Sequence, residues 1–211
     1  MAALKPGGRE PPGRATVADE PSYPGAVMSR SSQPGELTGD YIIDPAHSRL
    51  GFVARHAMVT KVRGQFSDVE GDIHLDEASP RDSTATVRIK TASIDTAQQQ
   101  RDDHLRSADF FDVETYPEIV FRIDAIEPKG GDLYAVSGEL TIRDVAKPIT
   151  FDLEFTGLAH DPMGNTRAGF EGSTQINRKD WGLTWNAAMD SGGFLVSEKV
   201  TLELDISAIK Q

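Results

Sequence analysis

The stretch IVFRIDA, residues 119–125, decides the fold: Ile119, Phe121, Ile123 and Ala125 alternate with Val120, Arg122 and Asp124. A side-chain period of two puts one set on each face of a strand, so the run reads as a β-strand with one apolar face. The same period recurs outward. C-terminally, Ile149, Phe151, Leu153 and Phe155 are spaced by Thr150, Asp152 and Glu154. Ala168, Phe170, Gly172, Thr174 and Ile176 form a weaker face, and Val200, Leu202, Leu204 and Ile206 close the chain. Residues 48–57, 62–75, 84–94 and 132–142 bring the total to about eight strands, the count of an antiparallel barrel or sandwich. Turn signals separate them at Ser79-Pro80, Gly130-Gly131, Lys147-Pro148 and residues 162–165. Phe66 falls on even parity, whereas Val69, Gly71, Ile73 and Leu75 are odd, which predicts a bulge near Ser67-Asp68.

One segment breaks the period. RDDHLRSADFFDVETYPEIVF, residues 101–121, is charged, carries a histidine and ends in paired phenylalanines. Thr96 with Gln99 reads as a capping box and Asp102 with Arg106 as an i, i+4 pair, so one short helix is expected over about 97–109, ended by Pro117. Leu105 and Ala108 share an edge, followed directly by Phe110 and Phe111. The segment reads as a lid across a barrel end, its charged face in water. Trp181 and Trp185, in NRKDWGLTWN at 177–186, are placed at the same opening.

Totals narrow the function. The chain has 211 residues, no cysteine and a formal net charge of −11. Disulfides and thiolate chemistry are therefore excluded, and a nucleic-acid surface or an anionic membrane is disfavoured as an electrostatic partner. Residues 1–39 are neutral and rich in Pro, Gly, Ser and Ala, so they read as a disordered tail, with Met28 a second candidate start; residues 40–211 form the domain. No apolar run suits a signal peptide or a membrane span, which makes cytoplasmic residence, without an integral membrane segment, the expectation.

The face that points inward carries Phe52, Phe66, Phe121, Phe151, Phe155 and Phe170, mixed with Ala54, Gly64, Gly71, Ala85, Ala125, Gly138, Gly157 and Gly172. Bulky residues define walls and small ones leave room, but a filled barrel with taper gives the same mixture, so pattern alone leaves hollow and filled readings open. His56 shares parity with Leu50, Phe52 and Ala54 and is expected on the inner face, either as a paired buried imidazole or as a ligand contact. The five histidines match no zinc-binding spacing and no nucleophile elbow is present, so neither a metal, a cofactor nor a catalytic group is assigned.

The runs DYIIDPAHSRLGFVARH, KVRGQFSDVEGDI, SIDTAQQQRDDHLRSADFFDVETYPEIVF, GELTIRDVAKPITFDLEF, INRKDWGL and VSEKVTLELDISA, in that order from about Asp40 to Ala208, closely resemble the YceI-like family of lipid-binding proteins. The resemblance implies an all-β fold, a lipocalin-like eight-stranded antiparallel β-barrel, with a tunnel for a polyisoprenoid or a fatty-acid-derived lipid, bound or transported without catalysis. It also implies a homodimer. Carried onto this sequence, it assigns Leu105, Phe110 and Phe111 to the tunnel wall and Arg101 and His104 to a polar head group, while an ion pair of Arg101 with Asp102 or Asp109 that holds the helix stays open as the other reading of that residue. Two alternatives stay open: a lipid-modifying enzyme using a buried His56, and a protein-interaction or stress-response module.

Overall fold

The computed structural model describes residues 35–190 and 192–211. The reading of residues 1–34 as a tail, with Met28 inside it, lies outside the described residues. Residues 35–39, assigned to the same tail, do carry structure: the backbone N–H groups of Gly35 and Leu37 donate to Glu77 Oε2, at 2.9 and 3.2 Å, and the Tyr41 hydroxyl donates to the Leu37 carbonyl.

Three of the long strands are broken into pairs. Strands β1 (Gly39–Ile43) and β2 (Arg49–His56) run in line along β11 (Lys199–Lys210), β1 pairing with its C-terminal end and β2 with its N-terminal half. The interruption is DPAHS, where Asp44 Oδ1 accepts from the Ala46 N–H at 3.0 Å and Pro45 offers no donor to a ladder. Strands β3 (Thr60–Phe66) and β4 (Val69–Leu75) are split at Ser67-Asp68, where the phase slip predicted a bulge within a single strand, and β5 (Thr84–Lys90) and β6 (Ile94–Asp95) by a 3₁₀ turn at Thr91–Ser93.

With β7 (Glu118–Gly130), β8 (Leu133–Ile142), β9 (Val145–His160) and β10 (Thr166–Asn177), the eleven segments make eight antiparallel staves. The order is β1-β4-β5-β7-β8-β9-β10-β11, and pairing of β11 with β1 closes the ring. Closure pairs the strand edges that an open sheet would expose.

Pairing details correct three expectations. Lys147-Pro148 is not a turn: the β8–β9 turn is Arg143-Asp144, both at positive φ, and Pro148 lies within β9 opposite Glu139. Strand β10 pairs with β9 only from Leu153 to His160, so the first half of β9 has no neighbour on that side and a residue without an N–H is tolerated. Ala125 is not on the wall, because the β7–β8 register shifts between Ile123 and Ala125 and brings Ile126 inward instead. Nor do the inward glycines simply leave room. A Cβ on Gly64 would lie 2.3 Å from Phe52 Cζ, and one on Gly138 2.2 Å from the Arg122 carbonyl oxygen and 2.8 Å from the Phe121 ring. These glycines let neighbouring rings lie against the backbone, as cross-strand aromatics do over bare positions in curved sheets.

The helix α1 (Gln99–Arg106) is shorter than expected, and its start is built differently. Gln98, not Thr96, is the cap: its Oε1 accepts from the Arg101 N–H at 2.6 Å. Asp102 does not pair with Arg106. It is buried and accepts from the Thr96 N–H and hydroxyl at 2.9 and 2.5 Å, while Arg106 reaches Asp103 and the carbonyls of Ala92 and Ile94. Ala108, beyond the last helical turn, is exposed. A second irregular segment, from the 3₁₀ turn Arg178–Trp181 to Glu198, covers the same barrel end. Trp181 anchors it beside the unpaired half of β9, its Nε1 donating to the Leu140 carbonyl at 2.9 Å.

Candidate functional site

The inward faces enclose a cavity of about 290 Å³ that runs from Leu37 and Pro80 at one end of the barrel to Arg178 and Val196 at the other. That is near the lower edge of the roughly 300–1,000 Å³ usual for ligand pockets. Strand periodicity builds the wall. Phe52, Phe66, Phe121, Phe151, Phe155 and Phe170, all expected inside, line it. The rings sit in pairs: Phe52 and Phe66 at 5.9 Å, Phe121 and Phe151 at 5.7 Å, Phe155 and Phe170 at 5.6 Å between centroids. Such spacings are attractive for offset or tilted rings and keep each ring in place without polar contacts.

The α1 segment closes one end as a lid. Leu105, Phe110 and Phe111 all face the cavity, and Phe111 meets Phe66 edge-on at 5.8 Å. A backbone bond from the Phe111 N–H to the Leu105 carbonyl, 3.0 Å, folds the two phenylalanines back under the helix. This is the reason one helical turn followed by Phe-Phe can present three apolar side chains to the interior while Asp103 and Asp109 stay in water.

The other sequence-assigned residues lie elsewhere. His56 is exposed at the end of β2, one residue short of the β2–β3 turn, and is not part of the wall; parity was preserved, but the strand has run past the barrel rim. Arg101 folds back on its own helix start, donating from Nε to Thr96 Oγ1 at 2.7 Å and from Nη2 to the Thr96 carbonyl at 2.8 Å. His104 Nε2 is 2.9 Å from Asp109 Oδ2, with its ring edge-on to Phe110 and Trp185 at 5.1 and 4.5 Å, behind the wall. Trp181 is buried against β8 and Trp185 packs on Phe110, so both brace the lid from outside the cavity. None of these five residues contributes to the lining.

Arg178 is a residue of the cavity wall that the sequence reading did not single out. It lies on the cavity wall and is buried to 4% exposure, with its guanidinium over the Phe110 ring at 5.9 Å. Nε donates to the Ser197 carbonyl at 3.0 Å, Nη1 to that of Leu183, and Nη2 has no partner. Burial pulls its pKa down from the usual guanidinium value, opposed by Glu198, yet it stays a cation at any physiological pH. The signal was present: Thr174, Ile176 and Arg178 continue the even parity of the β10 face. At the opposite end Asp76, Glu77 and Ser83 supply the polar lining, and beside it the Tyr41 phenol is pushed up to about 12 by burial, then by Glu36 and Glu77.

Among the described residues, Asp76, Glu77, Tyr134 and Arg178 are the ionisable groups on the wall, and Arg178 is at the far end from the two carboxylates. The arrangement suits an occupant that is apolar along most of its length.

Comparison with known proteins gives the same architecture. Residues 41–208 match the model of the YceI-like domain. A UPF0312 protein of Vibrio parahaemolyticus is 34% identical over 189 residues, covering 89% of this chain and 96% of its own length. The crystal structure of Burkholderia cenocepacia BcnA superposes with a TM-score of 0.67 at 26% identity, covering 78% of this chain and 98% of that one. A polyisoprenoid-binding domain from Saccharophagus degradans, implicated in plant cell wall breakdown, shares the fold with a TM-score of 0.63 at 18% identity over 81% of this chain and 98% of its own.

Proposed function

This chain belongs to the YceI-like domain family, and we propose that it binds and carries a polyisoprenoid or similar long-chain lipid in its barrel without acting on it chemically. The observation that carries the reading is the closed barrel with an almost wholly apolar interior cavity under a Leu-Phe-Phe lid. The Saccharophagus domain named for polyisoprenoid binding supports it through the shared barrel.

The energetics are sufficient. Each buried CH₂ contributes about 0.8 kcal/mol, so a chain of several prenyl units gains upward of about 10 kcal/mol before ordering costs are subtracted. Such a gain needs no charged contact. Polar groups at the two ends then select among head groups, and Arg178 rather than Arg101 or His104 is the cation on the wall. The alternative of a lipid-modifying enzyme loses its assigned base, because His56 faces solvent.

Mass spectrometry of an organic extract from protein purified without detergent tests the reading. Near-equimolar long-chain lipid is the expected result. An extract that is empty, and still empty after incubation of folded protein with prenyl alcohols, overturns it.

A further inference from the structure

A carrier of this kind has to meet the surface from which its lipid comes, and one corner of the barrel has the composition for it. Among the described residues five large apolar side chains are exposed, and three of them, Met58, Val59 and Phe194, lie on adjoining backbone. Met58 and Val59 occupy the loop between β2 and β3. Phe194 belongs to the segment that docks on that loop, through a bond from the Ala57 N–H to the Leu195 carbonyl at 2.7 Å and a bridge between His56 and Val196. Ala57 and Met58 both have positive φ, at 50° and 60°, where Asn and Gly are the unstrained choices. Side chains that cost backbone strain and face water are not explained by the stability of the barrel.

On its β2–β3 side the charge of this corner is the reverse of the molecule's. Of 33 acidic residues none lies between Asp44 and Asp68, while that interval holds Arg49, Arg55, Lys61 and Arg63. Arg49 is paired with Glu203, but Lys61 and Arg63 are exposed and make no ion pair among the described residues. Arg55 Nη1 donates to the Val59 carbonyl, which holds a guanidinium directly behind the apolar tip. In the adjoining segment Glu198 is neutralised by Lys179 Nζ at 2.5 Å, and that ammonium lies 5.9 Å from the Phe194 ring centre; Asp180 and Asp190 of that segment are exposed, so the basic charge sits on the β2–β3 side of the corner. Fields of the distant acidic faces are screened over about 8 Å at physiological ionic strength, so at contact the local charge governs. A net charge of −11 therefore does not argue against an anionic surface at this one corner.

We propose that the β2–β3 tip, with the Phe194 segment beside it, docks on the surface of an anionic phospholipid bilayer. Met58 and Val59 enter the head-group boundary while Arg55, Lys61 and Arg63 meet phosphates, the arrangement by which interfacial elements combine apolar burial with basic flanks. A protruding tip of three side chains is small beside the roughly 800 Å² per partner of a stable protein interface, which favours lipid over protein as the occupant. The strand that ends at this tip lines the cavity with Phe52 and Ala54 a few residues earlier, so docking places the wall of the cavity next to the membrane. The purpose of this contact rests on the carrier reading; its geometry does not.

The test is flotation of the full chain with vesicles of phosphatidylcholine alone and of two parts phosphatidylcholine to one part phosphatidylglycerol. Binding to the mixed vesicles only, weakened by added salt, is expected. Lys61→Glu with Arg63→Glu should weaken it by about 25-fold or more, from about fivefold per basic residue lost, and Met58→Asp with Val59→Asp should abolish it. Both double variants should retain the lipid found in the wild-type extract. Equal binding to both vesicle types, no binding to either, or double variants that bind like wild type would overturn the proposal. So would light scattering that shows a wild-type dimer turned to monomer by Met58→Asp, which would make a second copy the occupant. An empty extract with intact vesicle binding would instead sink the carrier reading and leave the docking surface standing.

Discussion

Filling the cavity from its own wall separates a hollow barrel from a packed one. Ala85 lies on β5, faces the cavity and is 8% exposed. In Ala85→Phe the added ring takes roughly the space of one prenyl unit, four to five carbons. At about 0.8 kcal/mol per displaced CH₂, four displaced carbons cost a bound chain about 3 kcal/mol, or roughly 200-fold in Kd. The protein itself should lose little, because the ring enters space that is already there. In a filled core the same substitution costs about 1–3 kcal/mol of stability through overpacking. The assay is paired: calorimetric titration with a long-chain prenyl alcohol, and urea unfolding of the lipid-free protein. Thr86→Phe, one residue along on the outer face, is the control and should bind as wild type. A folded Ala85→Phe with unchanged affinity would refute the reasoning. So would a stability loss of about 1–3 kcal/mol with no change in binding.

Three further outcomes follow from the fold. Asp102→Ala removes the acceptor of the buried Thr96 N–H and hydroxyl and should lower the unfolding free energy by about 2 kcal/mol; a loss under about 0.5 kcal/mol in urea melts would show that the helix start has another support. Gly138→Ala drives a Cβ to within 2.2 Å of a rigid backbone carbonyl, so it should destabilise by more than the roughly 1 kcal/mol of an average substitution, and a melting temperature equal to wild type would contradict the close packing. Arg167 bridges Asp44 Oδ2 at 2.5 Å and Asp161 Oδ2 at 2.8 Å. Asp161 is held well below the usual carboxylate range, first by Asn165 and then by Arg167, and Asp44 is lowered first by Arg167. Because both folded-state values are depressed, their stabilisation is present above the unfolded value near about pH 4 and is lost as the pH falls through the folded values. Unfolding measured along an acid series should show that loss, with a shallower slope in Asp161→Asn; identical slopes would remove Asp161 from the account.

What could be read from the chain was whatever depends on a period of two. Alternation at Ile119, Phe121 and Ile123, and its repeats, set the apolar face of each strand, so Phe52, Phe66, Phe121, Phe151 and Phe170 came out on the wall. The slip of parity across Ser67-Asp68 gave the break between β3 and β4. Leu105, Phe110 and Phe111 were legible as a lid because an apolar cluster at the end of a charged helical turn has to be covered by something.

Where parity failed, the cause was distance along the barrel axis or a change of register, and neither is local. His56 keeps the parity of Phe52 yet stands in solvent, because only the assembled barrel fixes where its rim falls. Ala125 left the wall through a register shift against β8, which the pairing of the two strands sets and the alternation within β7 does not show. Arg101 and His104 turned to Thr96 and Asp109, since short-range hydrogen bonds satisfied them before any head group was needed. Arg178 shares the even parity of β10 but sits just past the strand, and its burial depends on Phe110, Leu183 and Ser197 converging from other parts of the chain. The sequence by itself determined which faces are apolar and where strands break, because side-chain direction follows backbone period. Whether those faces enclose a cavity, and which polar groups border it, was decided by the tertiary structure, since a void is a property of staves packed around an axis and leaves no mark on any one of them.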